Sequence, residues 1–268
     1  MVTRTRSGNG ARSRARPQAK RKPLKAAEAL ARDIVDHIVE RNLPEGTRLS
    51  PEREMLVETG RARSTLREAL RLLETRGVIE IRQGNVGGPV VRRPRAADLG
   101  EALTLILLFE GASMLDVIEA REEMEALTVG RAAGALTPEQ LDALQESIDI
   151  QLANLGDREV FLTQSRRFHT IINEAAATPV LSILNEALQR TTHVTIGTVE
   201  YAVEHRRSVA IAHRAILAAL RAGDADAARA AMRAHVRQSG TYWRRMSGAL
   251  AHKPLRWLAL GREATDQG

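Results

Sequence analysis

Residues 50–77 limit the fold of this chain more than any other stretch, because two short amphipathic segments sit there between residues that start and stop helices. Ser50 can cap a helix that takes Pro51 in its first turn, where a missing N–H costs nothing, and Glu52 and Glu54 suit the positive end of its dipole. This helix runs to about Thr59, and Gly60 supplies the left-handed residue that stops it. A second helix starts near Arg63. Its Leu66, Ala69, Leu70 and Leu73 recur at spacings of three and four, which marks them as the buried stripe. Arg63, Ser64, Thr65 and Arg67 gather at its N-terminal end, and Gly77 closes it. Residues 78–82 then alternate as a strand does, residues 83–88 read as a hairpin loop, and residues 89–92 read as a return strand.

A preceding helix over residues 24–41, with Leu30, Ile34, Val35 and Ile38 inward, completes the order helix, helix, helix, wing. Such a domain places the start of its third helix in the DNA major groove, where arginine forks onto guanine or holds a phosphate. Charge and periodicity alone also fit a helical hairpin with a solvated arginine face. The order of elements is what points to a winged helix-turn-helix.

Bulk charge carries none of this argument. Residues 1–25 hold nine basic side chains and no acid, more than the whole net charge of +7, so the remainder of the chain is slightly acidic. Residues 1–23 have the composition of a disordered basic arm, without the apolar centre of a signal peptide, and they add non-specific attraction to phosphate or serve only as a solubilising tail. The absence of cysteine excludes disulfides and thiolate metal sites. No apolar run approaches the roughly 18 residues of a membrane span, and the expected location is the cytoplasm, at the nucleoid.

The expected organisation is a basic arm (1–23), a DNA-binding domain (24–92), a linker (93–96) with Arg93, Pro94 and Arg95, an all-helical domain (97–250) and a tail (251–268). Seven helices are expected after the linker, at residues 97–109, 113–134, 137–155, 157–176, 179–199, 204–222 and 224–246. Thr137 with Gln140 forms a capping box, Thr178-Pro179 is another start, and Gly223-Asp224 is a stop followed by a cap. The fold class is therefore mainly α: a winged helix-turn-helix followed by a bundle of six to seven helices. In the tail, Leu255, Trp257 and Leu258 are the residues able to dock.

Two histidines of the bundle can be placed from the turn between its last helices. His213 lies ten residues before Gly223 and His235 eleven after Asp224, so in an antiparallel hairpin both stand about 15 Å from the turn. Ile216, Leu217 and Leu220 share the face of His213, and Ala228, Ala231 and Met232 that of His235, so both faces read as buried. Such a pair is either satisfied within the core or is a set of neutral imidazole ligands for a divalent cation.

The sequence Leu43-x-x-Gly46-x-x-Leu49-Ser50-Pro51-Glu52-Arg53-Glu54, with Arg63-Ser64-Thr65-Leu66-Arg67-Glu68-Ala69-Leu70-x-x-Leu73-x-x-x-Gly77-Val78-Ile79, resembles the GntR family of bacterial transcription regulators. The likeness covers about residues 24–92. It implies that Arg53, Arg63, Ser64, Thr65 and Arg67 contact DNA, with Gln83 and Gly84 of the wing in the minor groove. Gly87-Gly88-Pro89 departs from the usual aromatic-valine ending of that wing.

The C-terminal part is similar to the FadR-like branch of that family, whose ligand domain is an all-helical bundle of the FCD type. The similarity lies in helix number, in Arg121-x-x-x-Glu125, in Phe168-His169 and in His213 and His235. It implies that His169, His213 and His235 hold a divalent metal, zinc or nickel foremost, in a central cavity. Most members of the branch that bind metal carry Asp, sometimes Asn, four residues before the first histidine, and here Ser165 stands there. Two outcomes stay open. A three-histidine ion keeps its double charge and open positions for an anionic effector; otherwise the cavity takes its ligand with the histidines and Arg121 alone. Arg121 and Ser165 are the candidate effector-binding residues, although Arg121 and Glu125 also suit an ordinary intrahelical ion pair.

The function implied is a ligand-responsive transcription regulator, a repressor, which binds double-stranded pseudo-palindromic DNA as a homodimer and senses a small carboxylate metabolite. It is not an enzyme. Two alternatives are a metal-dependent hydrolase using the three histidines, which lacks an evident carboxylate base, and an architectural DNA-binding dimer without an effector.

Overall fold

A computed structural model describes residues 26–84, 87–196, 202–248 and 255, and leaves aside the side chains of residues 193–196 and 247. The expected basic arm lies outside the described residues, as do Trp257 and Leu258 of the tail. The chain divides into two compact units, Met1–Arg93 and Pro94–Gly268.

In the first unit, α1 (Ala26–Glu40), α2 (Glu52–Thr59) and α3 (Arg63–Thr75) enclose one small core. The α1 helix buries Ala27, Leu30, Ala31 and Ile34, the i, i+3, i+4, i+7 pattern of one face, with Val35 and Ile38 at its margin. The α3 helix buries Leu66, Ala69, Leu70 and Leu73, the stripe expected from the sequence. Gly60 adopts φ 61° and its N–H donates to the Leu56 carbonyl, which ends α2 as expected. The cap at the other end differs from expectation. Pro51, not Ser50, occupies the N-cap position and no side chain caps the helix. Ser50 lies one residue too far out to accept from the first turn, and its hydroxyl instead donates to Glu58 Oε1 at 3.4 Å.

The strands β1 (Ile79–Arg82) and β2 (Gly88–Val91) pair antiparallel with Ile79 opposite Val91 and Arg82 opposite Gly88. The alternation expected along β1 is weak, since only Ile79 is buried and Ile81 is exposed. β2 is bonded on its second edge too, because Leu49 N–H donates to the Pro89 carbonyl and Val91 N–H to that of Thr47. At the wing turn Gly87 N–H donates to the Gly84 carbonyl, and a Cβ on Gly87 would sit 2.4 Å from the Arg82 carbonyl oxygen. A side chain is sterically excluded there.

The second unit contains α4 (Ala96–Phe109), α5 (Met114–Ala132), α6 (Pro138–Ala153), α7 (Arg158–Ala175), α8 (Pro179–Ile196), α9 (Val203–Arg221) and α10 (Ala225–Ser247). Most helix ends fall within two residues of the expected ones, because local capping sets them. Thr137 and Gln140 form the expected reciprocal box, and Asp224 accepts from Asp226 and Ala227 N–H. Ser113 with Asp116 forms a second box at the start of α5. The end expected for the α8 helix, at residue 199, lies outside the described residues.

The bundle packs α5 against α10, α9 against α6 and α10, and α4 against α8. Leu144, Ile148, Phe168, Ile172, Ile216 and Met232 lie at its centre. Helices α4 and α8 approach so closely that a Cβ on Gly100 would come within 3.1 Å of the Ala187 carbonyl oxygen. From the tail, Leu255 docks into this core and its N–H donates to the Ala112 carbonyl at 2.9 Å. Among the described residues no helix is long and apolar enough to cross a membrane.

Candidate nucleic-acid interface and buried histidine centre

The first turn of α3 leaves polar groups facing outward. Arg63, Ser64 and Arg67 are exposed, Thr65 is half-buried, and Arg53 on α2 is exposed. Ala62 precedes the helix and has no side chain able to accept from the first turn. The positive end of α3 is therefore left for an outside anion such as phosphate. Arg67 bridges to the neighbouring helix, with its Nε donating to Glu52 Oε1 at 2.7 Å. Gln83 and Gly84 are exposed at the β1–β2 turn. The same unit thus carries all seven residues expected to contact DNA.

In the second unit the side chains of His169 on α7, His213 on α9 and His235 on α10 converge. One nitrogen from each lies within 4.8 Å of the others, and all three residues are buried. Ring centroids are 4.7 Å apart for His213 and His235, 5.3 Å for His169 and His213, and 5.4 Å for His169 and His235. The equal distance from the α9–α10 turn brings the last two to one level, and Phe168 stacks on His213 at 4.1 Å.

Burial, reinforced by the neighbouring histidines, pushes the His213 pKa well below its ordinary value. Burial, with the charge of His169, brings that of His235 down to about 3. Both rings are neutral near pH 7, the form that ligates metal. His213 Nε2 and His235 Nδ1 are buried without a hydrogen-bond partner. Such orphaned nitrogens in a dry core call for a cation or a ligand. The three residues fit a divalent metal in number and donor type.

A carboxylate adjoins them from an unexpected direction. Glu125 on α5, 2% exposed, places Oε2 3.0 Å from His169 Nδ1. Burial raises the Glu125 pKa, but the charges of Arg121 and then His169 outweigh it and hold the carboxyl far below the usual range. Arg121 Nε and Nη2 both reach Glu125 Oε1, at 2.8 and 2.7 Å. Arg121 thus joins the group through Glu125. Ser165 lies one turn before His169 and is half-buried.

Gln151 escaped the sequence reading. It is fully buried on α6, and its Oε1 lies 3.0 Å from His213 Nδ1. The available signal was a polar pair, Ser147 and Gln151, on the apolar face that carries Leu144 and Ile148.

Comparison with known proteins agrees with this two-part layout. The gntR family of bacterial regulatory proteins matches residues 26–86, and the FCD domain matches residues 116–238. A protein of Escherichia coli (strain K12), provisionally named as the L-lactate dehydrogenase operon regulatory protein, is 29% identical over 229 residues, which cover 80% of this chain and 84% of the relative. The transcriptional repressor NanR of the same organism is 27% identical over 239 residues, covering 87% of this chain and 89% of its own. The GntR protein of Streptococcus agalactiae has a solved structure that superposes with a TM-score of 0.63 at 27% identity, covering 80% of this chain and 98% of its own. The two matched regions together take up well over half of the sequence, and they coincide with the DNA-binding fold and the helical bundle described above. The chain belongs to the GntR family of bacterial transcription regulators, with an FCD effector-binding domain, and it is a regulator and not an enzyme.

Proposed function

We propose that this protein is a homodimeric repressor, acting in the cytoplasm at the nucleoid, whose bundle senses a small carboxylate through a divalent metal, zinc or nickel. The observation that carries the reading is the convergence of three buried histidines, two of which, His213 and His235, have orphaned ring nitrogens. A divalent ion held by His169, His213 and His235 supplies a double positive charge in a dry interior, to which an anionic group is drawn. Two N–H groups of Arg121 are committed to Glu125, and the rest of its guanidinium is available to an effector carboxylate, with Ser165 one turn before His169 as a second contact. The name of the Escherichia coli relative, which mentions L-lactate, agrees with a carboxylate class.

In the other unit, Arg53, Arg63, Ser64, Thr65 and Arg67 read the major groove, and Gln83 and Gly84 the minor groove. Two copies of α3 on a two-fold axis read two half-sites about one helical turn apart, which makes the operator pseudo-palindromic. The effector changes operator affinity only to the extent that it binds the free and DNA-bound states unequally.

The test uses protein purified without a histidine tag. Elemental analysis is expected to find about one divalent ion per chain, and His213→Ala is expected to abolish it. Carboxylates screened by thermal shift should raise the melting temperature more with metal than without, because a ligand of the native state stabilises it. An effector found in this way should shift operator binding in a mobility assay. Less than about one-tenth equivalent of ion after zinc addition, with thermal shifts indifferent to metal, overturns the metal reading.

A further inference from the structure

We propose that Glu125 and Gln151 are the positioning residues of the histidine centre, Gln151 by accepting a hydrogen bond from His213 Nδ1 and Glu125 by setting its carboxylate charge beside His169 Nδ1, so that together they fix which ring nitrogen is offered to a metal. The inference rests on the metal reading above and adds to it the residues that set affinity.

The geometry is parallel on two sides of the site. Glu125 Oε2 stands 3.0 Å from His169 Nδ1, and Gln151 Oε1 stands 3.0 Å from His213 Nδ1. A proton on each Nδ1 leaves Nε2 as the lone-pair nitrogen, and His213 Nε2 is buried with no partner. Each acceptor is itself held. Arg121 takes Glu125 Oε1 with two N–H groups, which leaves Oε2 for His169. The Gln151 amide donates to Ser147 Oγ at 3.5 Å, and that hydroxyl donates to the Gln164 carbonyl at 3.4 Å. This chain orients the amide so that its oxygen, not its nitrogen, meets His213. Without it the amide could turn over and demand the opposite tautomer.

Glu125 places a negative charge beside His169 Nδ1, whereas Ser165, one turn before His169, supplies none. A carboxylate accepting from a ligand imidazole makes that ring more basic, and the loss of such a partner costs about 10- to 100-fold in metal affinity.

The experiment measures zinc affinity of the full chain by competition with a chromogenic chelator, and records the visible spectrum of the cobalt-substituted protein. Gln151→Leu should weaken zinc binding about 10- to 100-fold and change the cobalt spectrum. Gln151→Glu, which puts a carboxylate behind His213, should bind at least as tightly as the wild type, a result that a merely structural role does not produce. Glu125→Gln should lose affinity to a similar extent. Should that variant fail to fold, the two Gln151 variants decide alone. If wild-type protein binds zinc, His213→Ala abolishes binding, and both Gln151→Leu and Glu125→Gln bind like the wild type, the positioning role falls while the metal reading stands. If the wild type takes up no zinc, both fall.

Discussion

Each unit of this protein contains an Arg–Glu pair whose charged groups are within 2.7 Å, Arg67–Glu52 in one and Arg121–Glu125 in the other, yet their surroundings are opposite. The side chains of Arg67 and Glu52 are 65% and 34% exposed, those of Arg121 and Glu125 9% and 2%. Water and salt screen the first pair, so a DNA phosphate or base can take Arg67 away from Glu52 at small cost. The second pair has no water to fall back on. Either member left alone would be an uncompensated charge in the core, so the pair stays fixed and can hold His169 in one orientation. Exposure suits a group that must change partners, and burial suits one that must not.

The strongest way to break this comparison is to remove one member of each pair. Glu125→Leu is expected to destabilise the bundle by about 3–5 kcal/mol, because Arg121 is left buried and unpaired. Glu125→Leu combined with Arg121→Met should recover most of that loss, since an apolar pair needs no compensation. Denaturant unfolding followed by tryptophan fluorescence measures this, because Trp243 and Trp257, the two tryptophans of the chain, both belong to the second unit. Equal stability of wild type and Glu125→Leu would show that the buried pair is not structural.

The exposed pair should answer in binding and not in stability. Arg67→Ala should weaken specific operator binding by about five- to a hundred-fold while leaving unchanged the helix unfolding of the first unit, followed by far-ultraviolet circular dichroism because that unit holds no tryptophan. Glu52→Ala should act in the opposite direction, tightening binding at low salt with a gain that fades as salt rises, because the competitor of the phosphate has gone. A Glu52→Ala variant that binds DNA more weakly would mean that Glu52 orients Arg67 for its contact, and the comparison would need revision.

The same contrast explains what could be read from the sequence. Helix ends were legible wherever the capping partner is a few residues away, as with Thr137 and Gln140 or Asp224 and Ala227. His213 and His235 were legible as a pair because one short turn relates them. Gln151 was not, since its partner is 62 positions distant and nothing local ties α6 to α9. Arg121 and Glu125 were visible as an i, i+4 pair, but that spacing is identical on a wet or a dry face. Only the packing of α5 against α7 and α10 reveals that this one is dry and meets His169. In the first unit the bonding of Thr47 and Leu49 to β2 was missed for the same reason, since about forty residues intervene.

A pH series sharpens the comparison at a third position. His205 is buried on α9 against Tyr242, with ring centroids 3.7 Å apart, and burial lowers its pKa to about 4. The unfolded chain takes up a proton near pH 6.5 that the folded chain refuses until about pH 4. The unfolded state therefore binds more protons throughout that window, and stability falls as pH falls through it. His205→Phe keeps a ring against Tyr242 and removes this titrating group. In chelator-treated protein its melting temperature should gain on that of the wild type as pH is lowered from about 6.5 to about 4, and stay parallel above pH 7. A constant difference across the series would place the His205 ring in water.

The smallest expected effect supplies the scale for the others. Thr137 caps α6 at the surface: its hydroxyl accepts from Gln140 N–H at 3.3 Å, and the Gln140 side-chain oxygen accepts from Thr137 N–H at 3.0 Å. Thr137→Ala removes one acceptor of this box and leaves no buried charge, because water reaches the freed N–H. The expected loss is about 1 kcal/mol, read from the same fluorescence transition as Glu125→Leu. Thr137 and Glu125 each hold hydrogen bonds across three or four residues of one helix, so the two variants differ mainly in whether solvent can replace the lost partner. A ratio near one between their effects would mean that water reaches Glu125 after all, and that Arg121 is free to leave it for an effector.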